Sequence, residues 1–153
     1  MGHINKNISF FVVFLVFLLT SCTGEYAGDF SGTVIDAETG KPIEGAFVIV
    51  QWTEIKGWPG LSHHKHYKTV DVETGKGGKF LVSGVKKLNI DDPKIIIFKE
   101  GYVAWRNDFI FPNWEMRKDF KYGKGVIVNL EHYKKEYSRS EHHSFMVHGI
   151  TGY

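Results

Sequence analysis

The stretch Gly32–Val50, GTVIDAETGKPIEGAFVIV, decides the fold. Phe30, Gly32 and Val34 alternate with Ser31, Thr33 and Ile35, the period-two pattern of a strand. Ala46–Val50 is a continuous apolar, β-branched run, which predicts a second strand buried on both faces. Between the two, Asp36 can close an Asx turn, Gly40 can take positive φ, and Pro42 fixes its own φ while withholding a backbone donor, so the chain must reverse. Gly45 followed by the small Ala46 lets the returning strand start close against its neighbour. Backbone geometry explains each of these residues, and none of them is a candidate for catalysis.

Working outward, Tyr67–Val72 alternates again, Phe80–Val82 and Ile95–Phe98 are short apolar runs, and Val126–Leu130 predicts the last strand. Asp92-Pro93 marks a strand entry, since the residue before a proline is driven to extended backbone. Glu73-Thr74-Gly75-Lys76 repeats Glu38-Thr39-Gly40-Lys41 as reused turn chemistry, too short to be a structural repeat. The pattern Gly32-x-Val34-x-Asp36-x-x-Thr39-Gly40-x-Pro42-Ile43-x-Gly45-Ala46-x-Val48 resembles the opening of carboxypeptidase regulatory-like domains, which are small transthyretin-like β-sandwiches. Thr74–Phe80 looks like the mid-domain turn and strand of that family, and Lys99-Glu100-Gly101-Tyr102 like its late corner. Gly75 and Gly77 stand where the family usually carries acidic or amide residues, which speaks against a calcium-binding turn. The resemblance implies an all-β fold, a single transthyretin-like β-sandwich of about seven strands, with a binding or structural role and no catalysis.

At the start of the chain, Ile8–Leu19 is an almost unbroken apolar segment of twelve residues behind a polar start carrying Lys6. At about 1.5 Å per residue such a helix falls short of a ~30 Å hydrocarbon core, so the segment reads as a signal peptide. Leu19-Thr20-Ser21-Cys22 resembles a bacterial lipobox, in which the cysteine is acylated and becomes the new N-terminus; Cys22 is the single cysteine of the chain. Stable anchoring takes more than one acyl chain, and lipoprotein processing supplies that. Thr23, in place of an aspartate, directs the expectation to the outer membrane. The chain thus divides into a signal peptide (1–21), a lipidated cysteine and short tether (22–28), a sandwich (29–130) and a C-terminal helix and tail (131–153).

The mature chain of 132 residues would carry 18 Lys+Arg against 17 Asp+Glu. Such a balance, with no basic stripe, excludes nucleic acid as a partner. The partners expected are the membrane, through the lipid, and an envelope protein or a glycan. With Cys22 lipidated no disulfide can form, so the fold must stand on its core.

Glu54–His66 reads as a loop bearing Trp58, His63, His64 and His66, and beyond Glu131 the spacing of Leu130, Tyr133, Tyr137 and Phe145 predicts a helix of roughly ten to fifteen residues. His132, His142, His143 and His148 lie in or after that helix. Neutral imidazoles suit zinc or copper, and His63, His64, His66, His142 and His143 form a metal-ligating set if folding joins the loop to the helix. Solvated loop histidines and no cofactor are the plainer expectation. Trp52 and Trp105 fall in strand runs and belong to the core, whereas Trp58 and Trp114 fall in loops and are candidate ligand-binding residues, for instance as a platform for sugar rings.

Hydrolytic constellations are absent. The chain has no Gly-x-Ser-x-Gly, no His-Glu-x-x-His and no His-x-x-Glu, and it ends Gly149-Ile150-Thr151-Gly152-Tyr153 without the tyrosine-arginine-glycine-serine ending of transthyretin-like hydrolases. The sequence therefore points to a lipid-anchored envelope accessory module, with sugar or metal binding through the Trp58 and His63–His66 segment as the alternative.

Overall fold

The computed structural model describes residues 26–58 and 60–151. The signal-peptide and lipidation readings, on residues 1–22, lie outside them. Two sheets, one mixed and one antiparallel, face each other. One contains β2 (Phe30–Asp36), flanked by β5 (Lys79–Val82) and β11 (Val126–Leu130); the other runs in the order β4 (His63–Glu73), β3 (Phe47–Lys56), β7 (Lys94–Phe98), β8 (Trp105–Arg106). Seven strands thus make the sandwich. Four two-residue strands form two small ribbons: β1 (Tyr26–Ala27) with β6 (Val85–Lys86), and β9 (Phe109–Ile110) with β10 (Glu115–Met116). The expected all-β sandwich with a C-terminal helix is what the chain forms.

The alternation in β2 buries Phe30 and Val34 completely, and the inward positions of β3 bury Val48, Val50 and Trp52 with them. Phe80, Val82, Ile95, Ile97, Trp105, Val128 and Leu130 complete this core from the other strands. Phe30 stacks on Tyr122 and lies 5.0 Å from the Phe80 ring. β11 pairs with β2 in parallel, Val126 opposite Gly32, and a Cβ on Gly32 would run into the Val126 carbonyl. That close approach is why a glycine interrupts an otherwise β-branched strand.

Two expectations are corrected here. Val48 and Val50 are buried, but Phe47 is exposed and Ile49 half-buried, so the apolar run is not covered on both faces. The outer face of its sheet is covered only where the helix lies over β7. Second, Glu54–His66 is not a loop: β3 continues to Lys56, β4 begins at His63, and only residues 57–62 turn. The two strands remain paired from Phe47↔Glu73 to Lys56↔His63 through a bulge at Trp52/Thr53. A bulge adds twist to a long ribbon and allows it to leave the sheet.

The C-terminal helix α1 spans Arg139–Thr151, of the length expected but starting eight residues later than Glu131. Tyr133 and Tyr137 precede it. The start is set by Ser138, whose Oγ accepts from Glu141 N (3.3 Å), the capping half of a Ser-x-x-Glu box. α1 packs on the outer face of β7 through fully buried Phe145 and through Gly149, where a Cβ would meet Ile96 and Arg106. Among the described residues no helix is long and apolar enough to cross a membrane.

Candidate functional site

The sandwich has two chemically different ends. At the first lie the β2–β3 turn, the ends of β4 and β7, and the Lys99–Tyr102 corner. Asp36 Oδ1 accepts from the backbone N–H groups of Glu38 (2.9 Å) and Thr39 (2.8 Å), closing the expected Asx turn. Its Oδ2 accepts from the Tyr102 hydroxyl (2.9 Å) and from His132 Nε2 (2.8 Å), and the Tyr102 and His132 rings stack at 4.6 Å. Thr39's backbone N–H, then the Tyr102 hydroxyl and the Glu38 N–H, hold the Asp36 carboxyl far below the usual carboxylate range against the opposing effect of burial. Burial first, and then Asp36, push the Tyr102 hydroxyl up. Thr74 Oγ1 donates to Ile43 O (2.7 Å) and accepts from Ala46 N (2.8 Å), and Lys99 Nζ donates to Gly45 O (3.1 Å). Asp36, Thr74 and Lys99 of the sequence pattern are thus tied to turn backbone, and Tyr102 is tied to Asp36. This end is a clasp.

Beside the clasp, α1 and the sandwich enclose an open groove of about 470 Å³, lined by Phe98, Glu100, Gly101, Tyr102, Tyr133, Arg139, His142, His143 and Met146. His142 is 7% exposed and its Nε2 accepts from Ala104 N (2.8 Å), which makes Nδ1 the protonated nitrogen. Burial pushes its pKa down, so the ring is held neutral. Groups able to grip a small anionic ligand, Arg139 and His143, stand at its rim. The hydroxyls in this lining are those of Tyr102, which donates to Asp36, and Tyr133, whose ring packs 5.1 Å from the His142 ring and which donates to Tyr137 O.

The packing above the groove centres on Arg106, which sequence reading missed. Its guanidinium is buried, makes a bidentate pair with Asp108 (2.8 and 2.7 Å), donates to Phe145 O (2.8 Å), and lies 4.9 Å from the Phe145 ring centre. Arg106 pairs opposite Ile96 on the outer face of β7, where a cation has no ordinary place. The nearby Arg-x-Asp, Arg106 to Asp108, was the available signal. Trp114, the second candidate ligand-binding tryptophan, is 39% exposed and also packs edge-on to Phe145 (5.1 Å) and His148 (5.6 Å) of the helix.

The second end is the overhanging β3–β4 hairpin. β7 pairs with β3 only as far as Gln51↔Lys94. Beyond it the segment Asn89–Asp91 takes over through an isolated bridge, Glu54↔Ile90, with Ile55 N donating to Asn89 O (2.8 Å) and Asp91 N to Thr53 O (3.0 Å). Trp58 and Leu61 form the tip, each 82% exposed, with Leu61 N donating to Trp58 O (2.9 Å). His64 and His66 do share one face of the strand, as their spacing predicts. His64 Nδ1 lies 3.1 Å from Asp91 Oδ2, and His66 Nε2 lies 2.9 Å from Thr69 Oγ1.

His63, His64 and His66 therefore lie at the hairpin end, whereas His142 and His143 lie beside Gly101 and Tyr102 at the clasp end. The fold does not bring the five together. Among the described residues no group of three or more His, Cys, Asp or Glu side chains is placed to hold a metal ion.

Fold and surfaces define a β-sandwich with a helix-covered outer face, a polar clasp at one end and an apolar hairpin tip at the other. No protein-family model matches the chain, and no curated protein does. Among solved structures the chain is similar to a streptococcal ancillary pilin, at TM-score 0.37 and 18% identity over 71% of this chain and 30% of that one. The chain thus spans less than a third of the pilin's length.

Proposed function

We propose that the protein is a lipid-anchored accessory module of the bacterial cell envelope, its transthyretin-like sandwich acting as a non-catalytic binding or structural domain held to the outer membrane through acylated Cys22. The observation that carries the reading is the position of that cysteine. It is the single cysteine of the chain, it closes an apolar segment of signal-peptide length, and it lies four residues before the first strand at Tyr26. A sugar-binding variant of the reading is favoured by one observation, the free indole face of Trp58; the dispersal of the histidines disfavours the metal-binding variant.

The test is metabolic labelling of cells expressing the full chain with a tagged fatty acid, followed by fractionation. The label is expected on the protein in the membrane fraction, and lost, together with membrane retention, in Cys22→Ser. Retention of both in Cys22→Ser would refute the anchor.

A further inference from the structure

We infer that the β3–β4 hairpin tip is a second membrane contact, with Trp58 and Leu61 seated in the headgroup region of the bilayer that holds the lipid. This rests on the lipid-anchor reading of Cys22 and adds to it the orientation of the domain. The partner is a phospholipid surface.

The chain enters the fold on the side of the hairpin. Tyr26 pairs with Lys86 and Ala27 with Val85 in antiparallel, so the N-terminal end of β1 lies beside the end of β6 that continues to Lys87. Lys87 Nζ lies 3.3 Å from Glu54 Oε1 and 5.3 Å from the centre of the Tyr67 ring, both on the overhanging hairpin. The lipid tether therefore starts at the root of the hairpin. From Tyr26 back to Cys22 is four residues, a reach of at most about 14 Å. From Glu54 out to Trp58 is also four residues, about 13 Å in a strand. A bilayer holding the acyl chains of Cys22 therefore lies within reach of Trp58.

The chemistry of the tip fits that surface. Trp58 and Leu61 are 82% exposed and Leu88, in the adjoining loop, 62%, a cost in water that vanishes in an interface. Tryptophan is enriched at the headgroup level because one end of the indole is apolar and the other donates a hydrogen bond. Lys56 and Lys65 lie on the overhang and Lys68, Lys86 and Lys87 at its root, against Glu54, Asp91 and Asp92, a local basic excess that a near-neutral chain places at this end and that suits anionic lipid. One myristoyl-sized chain binds reversibly, and a protein contact beside the anchor adds to retention and removes rotational freedom.

The experiment uses the full protein, purified from membranes, with the acyl chains on Cys22 verified by mass. It is reconstituted into vesicles of phosphatidylethanolamine and phosphatidylglycerol, with and without brominated acyl chains. Brominated lipid is expected to quench part of the tryptophan emission, and Trp58→Phe to abolish that part, because Trp52 and Trp105 are buried in the sandwich and Trp114 packs against α1 away from the hairpin. Acylated protein whose emission brominated lipid leaves unchanged, or whose Trp58 stays open to acrylamide on vesicles as in detergent, overturns the contact and leaves the anchor standing. The second pattern would mark a tip facing water, free for a glycan or a protein. Absence of acyl chains on Cys22 overturns anchor and contact together.

Discussion

Asp36 joins three segments distant in sequence, since one carboxylate receives the turn at Glu38 and Thr39, the corner at Tyr102 and the strand exit at His132. Its depressed pKa fixes the sign of its pH dependence. The carboxyl contributes stability above its unfolded pKa near 3.9, and that contribution is lost as pH falls through the lower folded value. Asp36→Asn is therefore expected to lower the thermal midpoint at neutral pH, because its amide presents a donor where Tyr102 and His132 already donate. The gap between variant and wild type should narrow as pH drops below about 4. Melts followed by circular dichroism across that range check both; an unchanged midpoint at neutral pH would show that the clasp is not held by this charge. Asp36 and Gly40 were legible in sequence because their roles are local. The Tyr102 and His132 contacts were not, because they join positions 66 and 96 residues apart.

At the scale of elements, the strands within the two sheets were readable from alternation, and their interior ends were right to within a residue or two. The hairpin was misread because its outer half is polar and glycine-flanked. The histidines and lysines of β4 are exposed on both faces, so no apolar period marks them as strand. The backbone pairing to β3 holds them there. The helix start was displaced because aromatic spacing from Leu130 runs on through Tyr133 and Tyr137, which pack beside α1 without being part of it. The Ser138-x-x-Glu141 cap was the better signal. α1 is anchored chiefly by Phe145, against which Phe111, Trp114 and the Arg106 guanidinium pack. Phe145→Ala should cost about 3–5 kcal/mol, measured by denaturant unfolding. If α1 only decorates the sheet, the loss will be far smaller, and amide exchange will show the sheet unaffected.

The whole molecule separates scaffold from surface. The residues of the opening pattern lie at the clasp and in β2, where geometry leaves few alternatives. The overhanging hairpin, the groove beneath α1 and the Arg106 seat lie on the outer face or at the far end. Apart from Arg106-x-Asp108, little local pattern announces such features, because their other contacts join side chains that meet only after folding. Acylation of Cys22, as proposed, would place the hairpin toward the membrane and the groove at the clasp end, with Arg139 and His143, toward the envelope space. The most direct measurement of the central claim is the mass of the N-terminal peptide from protein purified out of membranes. The account predicts that the peptide begins at Cys22 and carries acyl chains; a peptide with a free Cys22 thiol, or one beginning elsewhere, would contradict it.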